Sequence, residues 1–496
     1  MSKRDDNIIE GGQMKNGAFP SSVQDNPAPI AVSWSRGKLR WLLGAFRPAI
    51  LTSSGPRHQI RRTAYLDGLR GFAAFIVYWH HHQLWPHRDR PADLIFENVY
   101  GYKGNYFFAC LPGIRTLFSG GHYAVSIFFV ISGYVLSTKP LALIHAGEHE
   151  KLGDNLASAL FRRWIRLFIP VLCSTFFYLT SWHLFGIYTV SPRHEPTYRD
   201  ELWHWYAEFK NFSFVFRTGG DGWFSYSFHT WSIPVEFRGS IAIYTTLLAL
   251  SRCTQRARLW CQVGLIIYFM YIADGWFAAS FISGMLLCDL EMLAREKKLP
   301  DFFRSFDNYK TIIFYTMFIV ATYLGGVPSH DRDEEYLKGS PGWGWLSWFK
   351  PQAVYDFKWF YLSIAGFLTV ASTPHIALLK RFFETRFCQY LGRISFMFYL
   401  VHGPILWTLG DRLYAATGLY TEVHLIHMPG WVNLFPLSKS GPMGLEMSFL
   451  APNLILLPTT LWAAEIMTKL VDEPTVKFAA WLYKITGATA PKPPLL

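Results

Sequence analysis

The sequence predicts an all-α protein that crosses a membrane about ten times, and three observations lead to this fold class. Of its 496 residues, 51% are hydrophobic and only 17% are charged, a balance typical of multi-span membrane proteins. The apolar residues are gathered in long runs, and about 20 such residues suffice for one helix to cross a bilayer. The 20 Trp and 26 Tyr residues suit the aromatic belts at the two membrane interfaces.

Ten apolar runs qualify as candidate spans because each approaches the length that a bilayer requires. They lie near residues 64–85, 121–138, 165–187, 231–250, 258–273, 274–290, 309–327, 354–373, 390–410 and 448–470. The runs 258–273 and 274–290 share a short turn at Asp274 and Gly275. That pair could therefore be one helix followed by a re-entrant piece.

Basic residues are concentrated in every second connection between these spans. Examples are Arg252, Arg256 and Arg258 in one connection, and Lys380, Arg381 and Arg386 in another. The opposite connections are longer and carry mixed charge. Because Lys and Arg are retained on the cytoplasmic side, the pattern predicts an integral membrane protein with both termini in the cytoplasm. Whether it resides in the endoplasmic reticulum or the plasma membrane is not distinguished.

The remaining composition excludes several classes of protein. The net charge of +12 is explained by these cytoplasmic loops, so no nucleic-acid partner is expected. The six cysteines are scattered without a C-x-x-C pair, which indicates neither a disulfide framework nor a metal site. Residues 1–60 are expected to be disordered or to lie on the membrane surface. Residues 61–475 form the transmembrane domain and 476–496 a short cytoplasmic tail.

The first span carries the most unusual polar residues. Residues Tyr65–His82 place Asp67 and Arg70 at one end of an apolar run and three consecutive histidines at the other. Charged groups and imidazoles are costly inside a bilayer, so they favour function over packing. At 100° per residue, Arg70, Asp67 and His81 share one helical face, with a rise of about 16 Å between Arg70 and His81. The alternative, that Asp67 and Arg70 merely neutralise each other, leaves His81 unexplained.

Two further polar segments follow along the chain. Ser132 lies next to Gly133, and close helix packing is the better explanation of that glycine. The Ser132 hydroxyl could either bond within its own helix or face a cavity. The arginine cluster of Arg162, Arg163 and Arg166 enters the next span. Such clusters mostly orient a helix, but guanidinium groups also bind phosphate through bidentate contacts.

The last two polar segments place a carboxylate and a histidine at membrane depth. Glu236 and Arg238 could form an interfacial pair, but a carboxylate five residues into an apolar run is expensive and favours function. His402 lies in the middle of its span, shortly before Pro404, which could kink the helix. A structural histidine and an additional site residue are equally consistent with this position.

Five segments, taken in chain order, resemble the acyltransferase 3 family of membrane acyltransferases over roughly residues 60–475. They read LDGLRGFAAFIVYWHH, GGHYAVSIFFVISGYVL, RRWIRLFIP, HTWSIPVEF and LGRISFMFYLVHGP. The family's Arg-x10-His pattern maps onto Arg70 and His81, although the triple histidine departs from a single one. The resemblance implies transfer of an acyl group, often acetyl from acetyl-CoA, to a hydroxyl on a carbohydrate, lipid or small metabolite.

These observations combine into one hypothesis with a rival. Acyl-CoA, without any metal, would approach from the cytoplasm and place its phosphates at the arginine cluster. His81 would act as a general base or carry the acyl group, with Glu236 or Asp67 orienting the imidazole. The rival is a transporter or channel whose polar residues line a path for a solute or proton. It would move a solute without consuming acyl-CoA.

Overall fold

The computed structural model describes residues 61–88, 92–103, 106–190, 194–216 and 223–487, together with residues 46 and 192. The predicted segment 1–60, apart from residue 46, and residues 488–496 of the predicted tail lie outside this part. By its contacts, the chain from Ala45 to Leu496 forms one unit. Every regular element in the described part is helical, which confirms the all-α prediction.

Twelve longer helices are labelled here in chain order. They are α1 (Ala64–Leu84), α2 (Gly121–His145), α3 (His149–Phe185), α4 (Tyr198–Phe212), α5 (Ser232–Ala249), α6 (Gln255–Tyr271), α7 (Trp276–Arg295), α8 (Lys310–Leu324), α9 (Phe357–Ser372), α10 (Arg386–Ile405), α11 (Met447–Met467) and α12 (Glu473–Thr486). Shorter helices are Ala92–Phe96, Glu334–Gly339, Ala377–Phe383, Asp411–Thr417 and Glu422–His427. A π-helical stretch, Leu406–Gly410, follows α10, and another, Thr468–Asp472, joins α11 to α12.

Each of the ten predicted runs coincides with a helix, but ten spans are not confirmed. Within the described residues, four helices are long and apolar enough to cross a membrane: Gly121–His145, His149–Phe185, Trp276–Arg295 and Met447–Thr486. A fifth is added if Phe357–His375 and Ala377–Phe383, which are bent by 96°, count as one span. Helices α6, α8 and α9 have only 17, 15 and 16 residues, short of the roughly 20 required.

Two predicted boundaries differ from the helices observed. The uncertain pair 258–273 and 274–290 forms two separate helices, α6 and α7, with a break at residues 272–275. Residues 476–486 of the predicted tail belong to α12, which continues the helical run from Met447.

Glycines allow the central helices to pack with their backbones in contact. Helix α1 packs mainly against α10 and α2. A Cβ atom on Gly71 would lie 2.2 Å from the Gly392 backbone nitrogen of α10. Between α2 and α7, a Cβ on Gly133 would lie 1.9 Å from the Phe281 carbonyl oxygen. The packing explanation of Gly133 is therefore the one the structure supports, and α1 is held at the centre of the helices that carry the site.

Candidate active site

The three consecutive histidines of α1 point to three different surroundings. His80 faces the Glu97 carboxylate, with 3.6 Å between Nε2 and Oε1. His82 shares a 2.7 Å hydrogen bond between its Nδ1 and the Tyr414 hydroxyl. His81 lies between them, and its Nδ1 is 2.8 Å from Nε2 of His402 on α10. Successive side chains are 100° apart on a helix, so one run of three residues supplies three separate contacts.

The His81–His402 hydrogen bond fixes which nitrogen carries each proton. His402 Nδ1 lies 3.3 Å from the Phe398 carbonyl oxygen, and because a carbonyl only accepts, this nitrogen is assigned the N–H. In neutral His402 the other nitrogen, Nε2, is then the acceptor, so His81 Nδ1 donates to it. Neutral His81 therefore keeps its own Nε2 unprotonated, and no described residue bonds that atom. This is the protonation state that a general base needs.

His229 completes a cluster of three imidazoles, and sequence reasoning did not select it. Its ring centroid lies 4.4 Å from that of His402 and 5.8 Å from that of His81. His229 Nε2 donates to the Tyr399 carbonyl oxygen at 2.9 Å. Its Nδ1 is buried and finds no partner among the described residues. The only signal in the sequence was its position at the start of HTWSIPVEF.

A cavity of about 370 Å³ opens beside this cluster, within the range expected for a small-molecule site. Its walls are largely aromatic, with Trp85, Phe228 and Trp407 next to His81 and His402. The cavity therefore offers an apolar surface for a ligand together with three imidazoles, those of His81, His229 and His402.

Gly403 keeps the imidazole wall of this cavity open. A Cβ atom at this position would lie 2.5 Å from Cε1 of His229 and 2.8 Å from the Trp407 ring. Any larger residue would push these two rings apart, so the position requires glycine.

Arg88 forms a charged edge of the same cavity and is paired with Asp411. Arg88 Nη2 donates to Asp411 Oδ1 at 2.9 Å, and the guanidinium lies 4.3 Å from the centre of the Trp85 ring. Trp85 Nε1 donates to the same carboxylate oxygen at 2.8 Å. Burial alone would raise the pKa of Asp411, but the hydrogen bond with His424 and the charge of Arg88 outweigh it and lower that pKa. Asp411 thus stays ionised and holds both cavity residues in place.

Arg70 and Asp67 lie at the opposite end of α1 from His81. Arg70 Nη2 donates to the Gly392 carbonyl oxygen at 3.0 Å and lies 3.3 Å from Asp67 Oδ1. The mutual neutralisation that the sequence left open is therefore present. The step of fourteen residues from Asp67 to His81 corresponds to a rise of about 21 Å, so the structure does not bring Asp67 to the imidazole. His402 takes the position that was predicted for a carboxylate.

Glu236 belongs to a second polar cluster, near the arginines. Arg163 donates to the Glu236 carboxylate and, through Nε, to Ser240 Oγ at 2.8 Å. The Ser132 hydroxyl also bonds Glu236, and Arg70 is close enough to attract the same carboxylate. Glu236 and Ser132 are thus joined to Arg163 and Arg70, and not to the histidines.

The three members of the arginine cluster have different surroundings. Arg162 Nε turns back to the Ser158 carbonyl of its own helix at 2.9 Å. Arg166 is attracted by Asp472, and Arg163 is held by Glu236. Arg163 and Arg166 therefore face carboxylates on other segments of the chain, whereas Arg162 follows its own backbone.

Comparison with known proteins shows which family the chain belongs to. The family model described as "Acyltransferase domain" matches residues 63–443. The chain belongs to the acyltransferase 3 family. Arg70, His81, His229, Glu236 and His402 all lie within the matched range. The chain is therefore an acyltransferase, which confirms the prediction of an enzyme.

Several curated fungal proteins are similar to this acyltransferase 3 family member. An "O-acetyltransferase PaAT-1" of Phomopsis amygdali is 32% identical over 406 residues, covering 75% of this chain and 78% of the relative. "Acyltransferase R4" of a Phoma species is 23% identical, covering 86% and 96%. "Acyltransferase clz18" of Cochliobolus lunatus is 22% identical, covering 85% and 96%. No solved structure matches the chain at comparable significance.

Proposed function

We propose that this acyltransferase moves an acetyl group from acetyl-CoA to a hydroxyl of an acceptor bound in the cavity beside His81. The observation that carries the proposal is the hydrogen bond to His402, which leaves His81 Nε2 as an unprotonated base. The name of the Phomopsis amygdali relative, an O-acetyltransferase, supports acetyl as the group and oxygen as the acceptor atom.

The proposed reaction needs one base that later returns its proton. His81 Nε2 removes the proton of the acceptor hydroxyl while the oxygen attacks the thioester carbonyl. The tetrahedral intermediate then collapses, the carbon–sulfur bond breaks, and an ester forms. The sulfur leaves with the electron pair of that bond and takes the proton back from His81. His402 contributes by holding the His81 tautomer, the role that a carboxylate has in other hydrolases and transferases.

The donor approaches from the arginine end of α1 in this proposal. Arg70, Arg163 and Arg166 supply positive charge for the phosphates of CoA. The rise of about 16 Å between Arg70 and His81 is comparable to the length of a pantetheine arm. With the CoA phosphates near Arg70, the thioester therefore reaches the His81 imidazole by passing between the helices. With about ten spans and both termini cytoplasmic, as the loop charges predict, CoA enters from the cytoplasm.

The cavity favours one of the acceptor classes that the family resemblance left open. Its walls of Trp85, Phe228 and Trp407 suit a largely apolar ring system better than a polymeric carbohydrate, which would need many hydrogen-bonding groups. The Arg88 guanidinium, at the edge of the cavity, can donate a hydrogen bond to an additional oxygen of the acceptor. We therefore propose a small hydroxylated metabolite as the acceptor.

Release of free CoA from acetyl-CoA tests this function directly. Full-length protein in detergent micelles would be assayed with a thiol reagent in the presence of a panel of apolar alcohols. We expect acceptor-dependent CoA release together with the acetyl ester by mass spectrometry. His81→Ala should reduce the rate by about 10²- to 10⁴-fold, the contribution of a general base. His204→Ala, a surface histidine outside the cavity, is the matched control and should retain the wild-type rate.

Two results would contradict the proposal. Wild-type activity in His81→Ala would exclude the base, and solute movement across vesicles without CoA release would favour transport. Exchange of labelled CoA into acetyl-CoA without acceptor separates direct transfer from an acyl-histidine intermediate, since only the covalent route supports exchange.

A further inference from the structure

A second cluster of potential ligands lies beside His81 and is not used by the proposed mechanism. It consists of His80 near the end of α1, Glu97 after the short helix Ala92–Phe96, and His122 in the first turn of α2. One potential metal-ligand atom of each residue lies within 4.8 Å of those of the other two. Three separate chain segments thus bring two imidazoles and one carboxylate together.

One ring nitrogen of each histidine in this cluster, Nδ1, is buried without a hydrogen bond in the described part of the chain, whereas it is Nε2 of His80 that faces Glu97. His80 is only 4% exposed, and Nδ1 of His80 and Nδ1 of His122 are buried without a partner among the described residues. An unsatisfied buried polar group costs about 1–3 kcal/mol. The fold has nevertheless made room for the His80 ring, because a Cβ on Gly121 would lie 2.7 Å from its Cδ2 atom. A bound ligand would offset part of this cost.

Two nearby cations, Lys358 and Arg115, attract the Glu97 carboxylate, but their closest described contacts are with other groups. Lys358 Nζ lies 3.1 Å from the Asp356 carboxylate, and Arg115 Nη2 donates to the Phe96 carbonyl oxygen at 3.0 Å. Neither of these described cations is paired with Glu97, whose described ion-pair partner is His80 at 3.6 Å. That separation is too long for a hydrogen bond. Among the described residues Glu97 is thus a buried carboxylate that is attracted by two cations but has no direct ion pair with either of them, and a metal ion would supply a direct partner.

We propose that His80, Glu97 and His122 bind a Zn²⁺ ion, with water in the fourth position. Two histidines and one glutamate are an established zinc ligand set, and two such ligands of one tetrahedral ion lie about 3.4 Å apart. The 3.6 Å between His80 and Glu97 already approaches this spacing, and the potential ligand atom of His122 lies within 4.8 Å of both. Sequence analysis expected no metal because it considered the cysteines, whereas these three residues are distant in sequence.

The ion would brace the end of α1 that carries the catalytic histidine. The His80 and His81 rings are neighbours, with 5.3 Å between centroids. Binding at His80 would join α1 to α2 and to the segment that contains Glu97, and would thereby limit the movement of His81. The proposal does not depend on the substrate of the enzyme, since metal binding is measured directly.

Metal analysis of the full-length protein tests the site. The protein would be purified in detergent without a polyhistidine tag, and its zinc content would be measured by plasma mass spectrometry. We expect about one Zn²⁺ per chain in the wild type and at least about tenfold less in Glu97→Gln and His122→Ala. His330→Gln is the matched control, because that histidine also lies beside a carboxylate, at 3.5 Å from Asp93, but outside the cluster.

Two further measurements keep the test independent of folding defects. A chelator should lower the unfolding temperature of the wild type, Zn²⁺ should restore it, and neither should act on His122→Ala. Co²⁺ bound to His122→Cys should show a thiolate-to-cobalt absorption band that is absent from His330→Cys. Wild-type protein that binds neither Zn²⁺ nor Co²⁺ at equimolar level would overturn the proposal. Equal metal content in the wild type and both ligand variants would overturn it as well.

Discussion

The hydrogen bond between His81 and His402 makes a quantitative prediction about catalysis. His402→Ala removes the acceptor of the His81 Nδ1–H, which lies 2.8 Å from His402 Nε2. The imidazole of His81 is then free to rotate or to move its proton to Nε2. Either change lowers the fraction of enzyme whose Nε2 is unprotonated and directed at the acceptor hydroxyl.

The size of the effect follows from the cost of the lost bond. A buried donor left without its partner costs about 1–3 kcal/mol, and this energy now favours the unproductive arrangements of His81. The productive fraction, and with it kcat/KM, should fall by about 5- to 150-fold. The loss should be smaller than that of His81→Ala, which removes the base itself and is worth about 10²- to 10⁴-fold.

A double-mutant cycle measures whether the two histidines act as one unit. CoA release would be compared for wild type, His81→Ala, His402→Ala and the double variant, with unfolding temperatures recorded for each. If His402 acts only through His81, the double variant should be no slower than His81→Ala, because coupled residues are not additive. His402→Gln, whose amide oxygen can accept the same hydrogen bond, should recover part of the loss.

The tautomer argument fails under either of two results. Multiplicative losses in the double variant would mean that His402 acts on the substrate by itself. A wild-type rate in His402→Ala would mean that nothing depends on the position of the His81 proton.

Two other variants test the cavity and the donor site. Gly403→Ala should reduce kcat/KM by about tenfold or more and lower the unfolding temperature, because its Cβ would meet His229 at 2.5 Å and overpacking costs about 1–3 kcal/mol. Gly264→Ala, with no atom within 4 Å of the added Cβ, is its control, and equal effects would refute the cavity argument. Arg163→Gln should raise the KM for acetyl-CoA by about tenfold, the value of one charge-assisted hydrogen bond. Arg162→Gln should leave this KM unchanged, and the reverse order would place the phosphates elsewhere.

The positions of the ten predicted helices could be read from the sequence because each contains a long apolar run. The number of membrane spans could not be predicted in the same way, for a physical reason. Helix α1 is long enough to span but carries Asp67, Arg70 and three histidines, so its composition differs from that of a lipid-facing helix. Helix α8, with 15 residues, is apolar but short. One kind of helix carries site residues and is enclosed by other helices, and another kind crosses the bilayer. Length and composition alone therefore do not distinguish the two.

Site residues were predictable only where the geometry of a single helix identifies them. The phase of α1 alone selected His81 from three histidines, and the structure gives that residue the contact with His402 and the cavity. His229 and His402 reach His81 from other helices, and no periodicity in a single sequence records such a contact. Glu236 was expected to orient the imidazole because carboxylates commonly do so, yet its position on α5 brings it to Arg163. Residue type therefore indicated which side chains could belong to the site, whereas tertiary packing determined which of them are in contact.

The three consecutive histidines of α1 have related structural roles. Because each residue of a helix is turned by 100° from the last, one run cannot present three imidazoles to one ligand. It presents them to three separate neighbours: His80 to Glu97, His81 to His402 and His82 to Tyr414. The contacts of His80 and His82 lie on either side of the end of α1. The ring of His81, between them, is the one that faces the cavity. The precision required of a base, a fraction of an ångström, therefore depends on the flanking histidines as much as on His81 itself.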